Sequence, residues 1–124
     1  MSKRVLIVDD EACFRNILEY SLEKAGYVVS MAVDGQKAME LLRKEKPHIM
    51  LLDINMPIMD GHEVCRLVRS DDYLKDLPII LITVMDEDLV AEKIKNKLAN
   101  DYMIKPVEIE VLFDKMNNLI GPIA

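Results

Sequence analysis

Five polar side chains spread along most of the chain have the types needed to receive a phosphoryl group: Asp9, Asp10, Asp53, Thr83 and Lys105. Carboxylates brought to one point repel each other and raise one another's pKa unless a cation joins them. A hard divalent ion answers that need best, because every candidate ligand is an oxygen and none is a Cys or His. Mg2+ takes one or two carboxylates, keeps several waters and bridges to a phosphate oxygen. Asn55, just past Asp53, would add its backbone carbonyl. Lys105 beside a carboxylate would stabilise the charged form and offer a point charge to a phosphoryl oxygen, and Thr83 would donate its hydroxyl to the same group. A carboxylate nucleophile, a metal, a cation and a hydroxyl donor make a phosphoryl-acceptor site that works by positioning and charge neutralisation.

These groups act together only if the fold gathers them. Short runs rich in Val, Ile and Leu recur at Val5–Val8, Tyr27–Val33, Ile49–Ile54, Pro78–Val84 and Tyr102–Ile104. They hardly alternate, which is how strands buried on both faces read. Between them lie segments of helical period. Phe14, Ile17, Leu18, Ser21, Leu22 and Ala25 mark the first, stopped by Gly26. Ala38, Leu41 and Leu42 mark the second, between the Asp34-Gly35 turn and Pro47, and Val64, Leu67 and Val68 the third. Leu89, Val90, Ile94 and Leu98 mark a fourth with Asp86 or Asp88 as N-cap. Ile109, Leu112, Phe113, Met116, Leu119 and Ile120 mark the last, before Gly121-Pro122.

A strand followed by a helix, five times over, predicts a parallel sheet with helices on both faces. A closed barrel takes eight such units, so the expectation is an open α/β sheet, flavodoxin-like (βα)5, of strand order 2-1-3-4-5. In such sheets the ligand crevice lies beyond the carboxyl ends of the strands. The first run ends in Asp9-Asp10-Glu11, the third in Asp53, the fourth near Thr83 and the fifth in Lys105-Pro106. The second, on the outer edge, offers only Ser30 and Asp34. The four marked ends therefore converge on one crevice.

Composition narrows the setting. A chain of 124 residues and 14.2 kDa is expected to form one domain, 1–124, with no attached output domain. Apolar residues at 51% and charged residues at 31% exclude disorder. A net charge of −6 and a pI near 4.9 argue against direct binding of nucleic acid. Cys13 and Cys65 fit no metal or redox spacing, point to a reducing compartment, and read as half-buried packing residues. No apolar run reaches the length of about 20 residues that spans a bilayer. Met1 to Arg4 does not read as a signal peptide, so the expected location is cytoplasmic, with no membrane partner.

Four stretches carry a family resemblance: V-L-I-V-D-D-E at Val5–Glu11, L-L-D-I-N-M-P-I-M-D-G at Leu51–Gly61, L-I-T at Leu81–Thr83 and D-Y-M-I-K-P at Asp101–Pro106. In this order and with these gaps, the sequence resembles the receiver domain of two-component response regulators over essentially its whole length, as a stand-alone, chemotaxis-type member. The resemblance implies that Asp53 accepts a phosphoryl group from the phosphohistidine of a sensor histidine kinase or a phosphotransfer protein. It implies that Asp9 and Asp10 bind Mg2+, with Asp10 the direct ligand and Asn55 adding its carbonyl. Thr83 and Lys105 would sense the phosphoryl group, Tyr102 would be the switch aromatic, and Pro106 would follow a cis bond. The output surface would span about residues 86–120 and bind a downstream effector protein, the domain being a monomer or a weak phosphorylation-dependent dimer. Catalysis would be confined to its own phosphorylation and dephosphorylation at Asp53. Three positions depart from the family pattern: Val84 replaces a small residue after the switch threonine, Leu98 stands where Gly is usual, and Val107 replaces Phe. With Asn55 and Met85, they bear on rates and switching, not on the reaction class.

Each residue also has an ordinary account. Asp9 or Asp10 would cap the first helix, Asp53 would cap a loop, Thr83 would serve strand propensity, and Lys105 would be a solvated loop lysine. Tyr102 would be core with its hydroxyl at the edge, and His48 and His62 surface residues. The conjunction at neighbouring strand ends favours the chemical reading. An alternative is an aspartate-nucleophile phosphatase of the haloacid dehalogenase type, although the second acid such enzymes carry is Asn55 here. A flavin or nucleotide carrier on this fold is disfavoured, because the Asp9-Asp10-Glu11-Ala12 loop lacks a Gly- or Ser-rich phosphate cradle.

Overall fold

The computed structural model describes residues 2–84, 88, 91–92 and 97–122. In chain order these form β1 (Arg4–Val8), α1 (Ala12–Lys24), β2 (Val28–Ala32), α2 (Gly35–Lys44), β3 (Ile49–Leu52), α3 (Gly61–Ser70), β4 (Ile79–Thr83), β5 (Asp101–Ile104) and α4 (Ile109–Ile120). The five strands make one parallel sheet of order β2-β1-β3-β4-β5, as the alternating pattern predicts. The fourth helical segment of the sequence, with Asp86, Leu89, Val90 and Ile94, falls on residues outside this description, as does Met85.

Strand periodicity of two sorts the core into two layers. Leu6 and Val8 of β1, Met50 and Leu52 of β3, and Ile79 and Leu81 of β4 pack with Ala38, Leu42, Val64 and Val68 of α2 and α3. Their alternates Val5, Ile7, Ile49, Leu51, Ile80 and Ile82 pack on the opposite face with Leu18, Leu22, Leu112 and Met116 of α1 and α4. Each fully buried Leu or Ile contributes about 1.5–3 kcal/mol relative to exposure, so the central strands are the most tightly fixed parts of the fold. β2 differs from the sequence expectation: as an edge strand it leaves Val28 and Ser30 exposed. Leu74 and Leu77, between α3 and β4, are fully buried, a contribution that helical or strand periodicity does not reveal.

Helix ends are set by local polar chemistry. Asp34 caps α2 through the Lys37 N–H at 2.9 Å, and Asp60 caps α3 through the Glu63 N–H at 3.0 Å. Gly26, at φ 107°, ends α1 in a conformation that a side chain would strain. The cysteines are not half-buried as expected: Cys13 is exposed on α1, whereas Cys65 is fully buried on α3. The sequence period places Cys65 beside Val64 and Val68 on the core stripe, and Cys13 off the stripe of α1.

Candidate functional site

Register brings the marked residues together. Val8 pairs with Leu52 across β1 and β3, so Asp9 and Asp53 emerge side by side. Leu81 pairs with Leu52, which puts Thr83 one step beyond Asp53, and Thr83 pairs with Ile104, which delivers Lys105 to the same end. The hydrogen-bond ladder continues past the strands and fixes the backbone of these residues. The Asp53 N–H donates to Val8 O at 2.9 Å, the Asp9 N–H to Ala32 O at 3.2 Å, and the Lys105 N–H to Thr83 O at 3.0 Å. Asp9, Asp53 and Thr83 are all buried.

Burial raises the Asp53 pKa above the ordinary carboxylate value. The Asn55 N–H, at 3.2 Å from Oδ1, and the Thr83 hydroxyl donate to its carboxylate and work in the opposite direction. Asp9 adds repulsion and Lys105 attraction. For Lys105, burial opposes the charge, but hydrogen bonds to Asp9 and Glu11 and the fields of Asp9 and Asp53 hold its pKa above the usual lysine value. Its Nζ lies 2.8 Å from Asp9 Oδ2, 3.0 Å from Glu11 Oε1 and 3.7 Å from Asp53 Oδ2. The ammonium also sits 4.2 Å from the Phe14 ring centroid.

The acids fit a hard cation. Asp9, Asp10 and Asp53 each offer a carboxylate oxygen, and these oxygens lie within 4.8 Å of one another. Asp10 is exposed and would offer its oxygen from the solvent side, whereas Asp9 and Asp53 are buried. The capping account of Asp9 and Asp10 does not hold. The N-cap of α1 is Glu11, with no side-chain cap bond, and Asp9 Oδ1 instead accepts the Glu11 N–H at 2.8 Å.

Sequence reasoning placed Asp9, Asp10, Asp53, Asn55, Thr83 and Lys105 at one end of the sheet, and the structure brings them together there. Tyr102, on β5, is half-buried against the core layer of α2 and α3. His48, at the opposite end of the sheet, accepts the Arg4 N–H at Nδ1 (2.8 Å). Neighbours of these residues that the sequence reading did not assign are Glu11, Phe14, Arg15 and Gly61. Arg15 donates to Asp9 O at 2.7 Å. Gly61 is seated so closely that a Cβ there would lie 2.5 Å from Asp53 O. The D-G pair in the 51–61 stretch was the available signal for Gly61; the helical i, i+3 spacing of Glu11 and Phe14 was the signal for the other side.

Of the departures from the family pattern, Val84 and Val107 lie at this end, whereas Leu98 precedes β5 at the opposite end of the sheet. Val84 is exposed beside the site, and the Lys105–Pro106 bond is cis. The residue in the left-handed region near Leu98 is its predecessor Lys97, at φ 62°.

Comparison with known proteins agrees with this geometry. Residues 5–117 match the response regulator receiver domain family. The chain belongs to that family and is a receiver domain of the two-component response-regulator class. It is 40% identical over 122 residues to the response regulator MprA of Mycobacterium ulcerans, covering 97% of this chain and 51% of that protein. The chain thus spans about half the length of such curated relatives. Among solved structures, the chemotaxis protein CheY4 of Vibrio cholerae matches with a TM-score of 0.89 at 29% identity, covering 96% of this chain and 99% of that one. The response regulator TrrA of Thermotoga maritima, solved in complex with Mg2+ and beryllofluoride, matches with a TM-score of 0.83 at 31% identity, covering 94% and 98%. These relatives support phosphorylation-dependent signalling and give the phosphatase alternative no support. Among the described residues, no helix is long and apolar enough to cross a membrane.

Proposed function

We propose that Asp53 is the phosphoryl acceptor of this receiver domain, with Asp9, Asp10 and the Asn55 carbonyl holding Mg2+ and Thr83 and Lys105 receiving the phosphoryl oxygens. The observation that carries this reading is the juxtaposition at one sheet end of a buried carboxylate, two further acids, a hydroxyl and an ammonium. One Asp53 oxygen attacks the phosphorus of a phosphohistidine. The P–N bond breaks, its electron pair stays on the imidazole nitrogen, and an aspartyl phosphate forms. Mg2+ held by these acids would neutralise charge on them and on the transferring group. Lys105 supplies a second positive charge and Thr83 a hydrogen bond. Attack of water on phosphorus later releases phosphate and restores Asp53. No other catalysis is assigned to the chain.

The donor is a sensor histidine kinase or a phosphotransfer protein. It needs a surface beside the site, and an apolar groove of about 530 Å3 runs from Lys105 between Phe14, Ile17, Leu18, Val84 and Val107. Exposed Ile17 and Val84 give a docking helix apolar contacts in the groove that Lys105 lines. We assign the output to about residues 86–120, where Tyr102 links the phosphoryl site to a downstream effector protein. We further assign residues 1–124 to one receiver domain, located in the cytoplasm, that binds no nucleic acid directly and is monomeric or weakly dimeric when phosphorylated. Incubation with Mg2+ and a small acyl phosphate should add one phosphoryl group. EDTA or Asp53→Asn should abolish the addition, and an unmodified wild-type chain would contradict the assignment.

A further inference from the structure

We propose that Glu11 is the resting anchor of Lys105, a positioning residue that holds the ammonium away from Asp53 until a phosphoryl group draws it across. The proposal rests on the reading of Asp53 as acceptor and concerns how its lysine is held in reserve. An ammonium has three donors and no acceptor. Here one is directed to Asp9 Oδ2 at 2.8 Å and another to Glu11 Oε1 at 3.0 Å, while Asp53 Oδ2 stands off at 3.7 Å. The acid that reacts is therefore the one the lysine holds least closely.

Glu11 has no competing duty that would account for its place. It is the N-cap residue of α1, yet its side chain makes no cap hydrogen bond. It is not one of the three acids whose oxygens gather at the metal position. Its side chain is 64% exposed, whereas the Lys105 side chain is 10% exposed, so the pair joins a solvated carboxylate to a confined ammonium. The Phe14 ring, one helical turn along α1, backs the ammonium at 4.2 Å and fixes it on the α1 side of the crevice. When Asp53 carries a phosphoryl group, its added negative charge outbids an exposed carboxylate. Lys105 then leaves Glu11 while keeping Asp9 as a pivot.

Beryllofluoride with excess Mg2+, a phosphoryl mimic, tests this by titration. Glu11→Gln keeps the size and removes the charge, and should lower the half-saturating concentration by about two- to fivefold, the range an exposed ion pair supports. The same change in a Lys105→Ala background should have no effect, because Glu11 acts through the lysine. The Lys105 ε-methylene NMR signals should shift in ligand-free Glu11→Gln toward their beryllofluoride-bound position. They supply the readout if Lys105→Ala binds too weakly to titrate. An equal midpoint in Glu11→Gln and wild type, or a gain that persists without Lys105, overturns the proposal. The second result would assign the effect to general repulsion of an anion. Failure of the wild type to bind beryllofluoride, or equal binding by Asp53→Asn, would instead overturn the underlying assignment of Asp53.

Discussion

Gly61→Ala probes how tightly the acceptor is seated. A Cβ at this position would lie 2.5 Å from Asp53 O, 2.7 Å from Ile54 Cα and 3.1 Å from Asp53 C. All three are backbone atoms of the acceptor and its neighbour, so no side chain can rotate away. Ordinary contact begins at 3.4 Å, and relief requires a shift of just under an ångström. The helix cannot retreat freely, because the Gly61 N–H donates to Ile54 O at 2.9 Å and Asp60 caps the same turn. Overpacking of this kind costs about 1–3 kcal/mol of stability. A misplacement near 1 Å at a reacting group slows the chemical step by up to about a hundredfold. Urea unfolding and the rate of phosphorylation by a small acyl phosphate measure the two effects. Gly121→Ala is the comparison. At φ 78° it strains the backbone, but its Cβ would meet only Lys3 Nζ at 3.5 Å, so it should lose stability and keep the phosphorylation rate. A Gly61→Ala protein with wild-type rate and stability would refute the reasoning.

Three further substitutions test other parts of the fold. Ile58 is a β-branched residue at φ 69° and is 78% exposed, so Ile58→Gly should relieve backbone strain without losing burial. The expected gain is about 0.5–1 kcal/mol in denaturant unfolding, because part of the relief is offset by glycine's freedom in the unfolded chain. Arg69 donates to the carbonyls of Lys75, Leu77 and Leu98 and to Asn100 Oδ1, tying α3 to the approaches of β4 and β5. Arg69→Ala should cost about 2–4 kcal/mol by the same assay, since it leaves several carbonyls without their donor. His48 is held below its ordinary pKa of 6.5 by burial first, then by repulsion from Arg4 and Lys3, and as an acceptor from Arg4 N–H it must be neutral. Its depressed folded pKa means that stability is intact above about pH 6.5 and declines as the pH falls toward the folded value. His48→Asn keeps an acceptor that does not titrate, so the fall in urea midpoint between about pH 7.5 and 5.5 should be smaller than in wild type.

The sheet and the strand-end residues were legible in the sequence because parallel register is nearly a rule of position. Asp9 follows Val8 and Asp53 follows Leu52, and Val8 and Leu52 are partners. What the sequence did not disclose depends on side-chain reach and close packing between distant segments. Glu11 and Lys105 are far apart in sequence, and nothing in either run announces an ion pair at 3.0 Å. Gly61 reads as the end of a turn until the Asp53 carbonyl is found against its α-carbon. Asp9 reads equally as a cap or a ligand until its Oδ2 is seen on Lys105. β2 has an apolar composition like the central strands, yet its place at the edge exposes Val28, because composition records propensity and not neighbours.

The assignment of Asp53 as acceptor is tested most directly by locating the modified residue. The wild-type chain is treated with a small acyl phosphate and Mg2+, reduced with borohydride, which converts an aspartyl phosphate to homoserine, and digested for peptide mass spectrometry. Homoserine at position 53, absent when EDTA replaces Mg2+, is the predicted result. Homoserine at another aspartate, or none at all in a folded protein, would contradict the account.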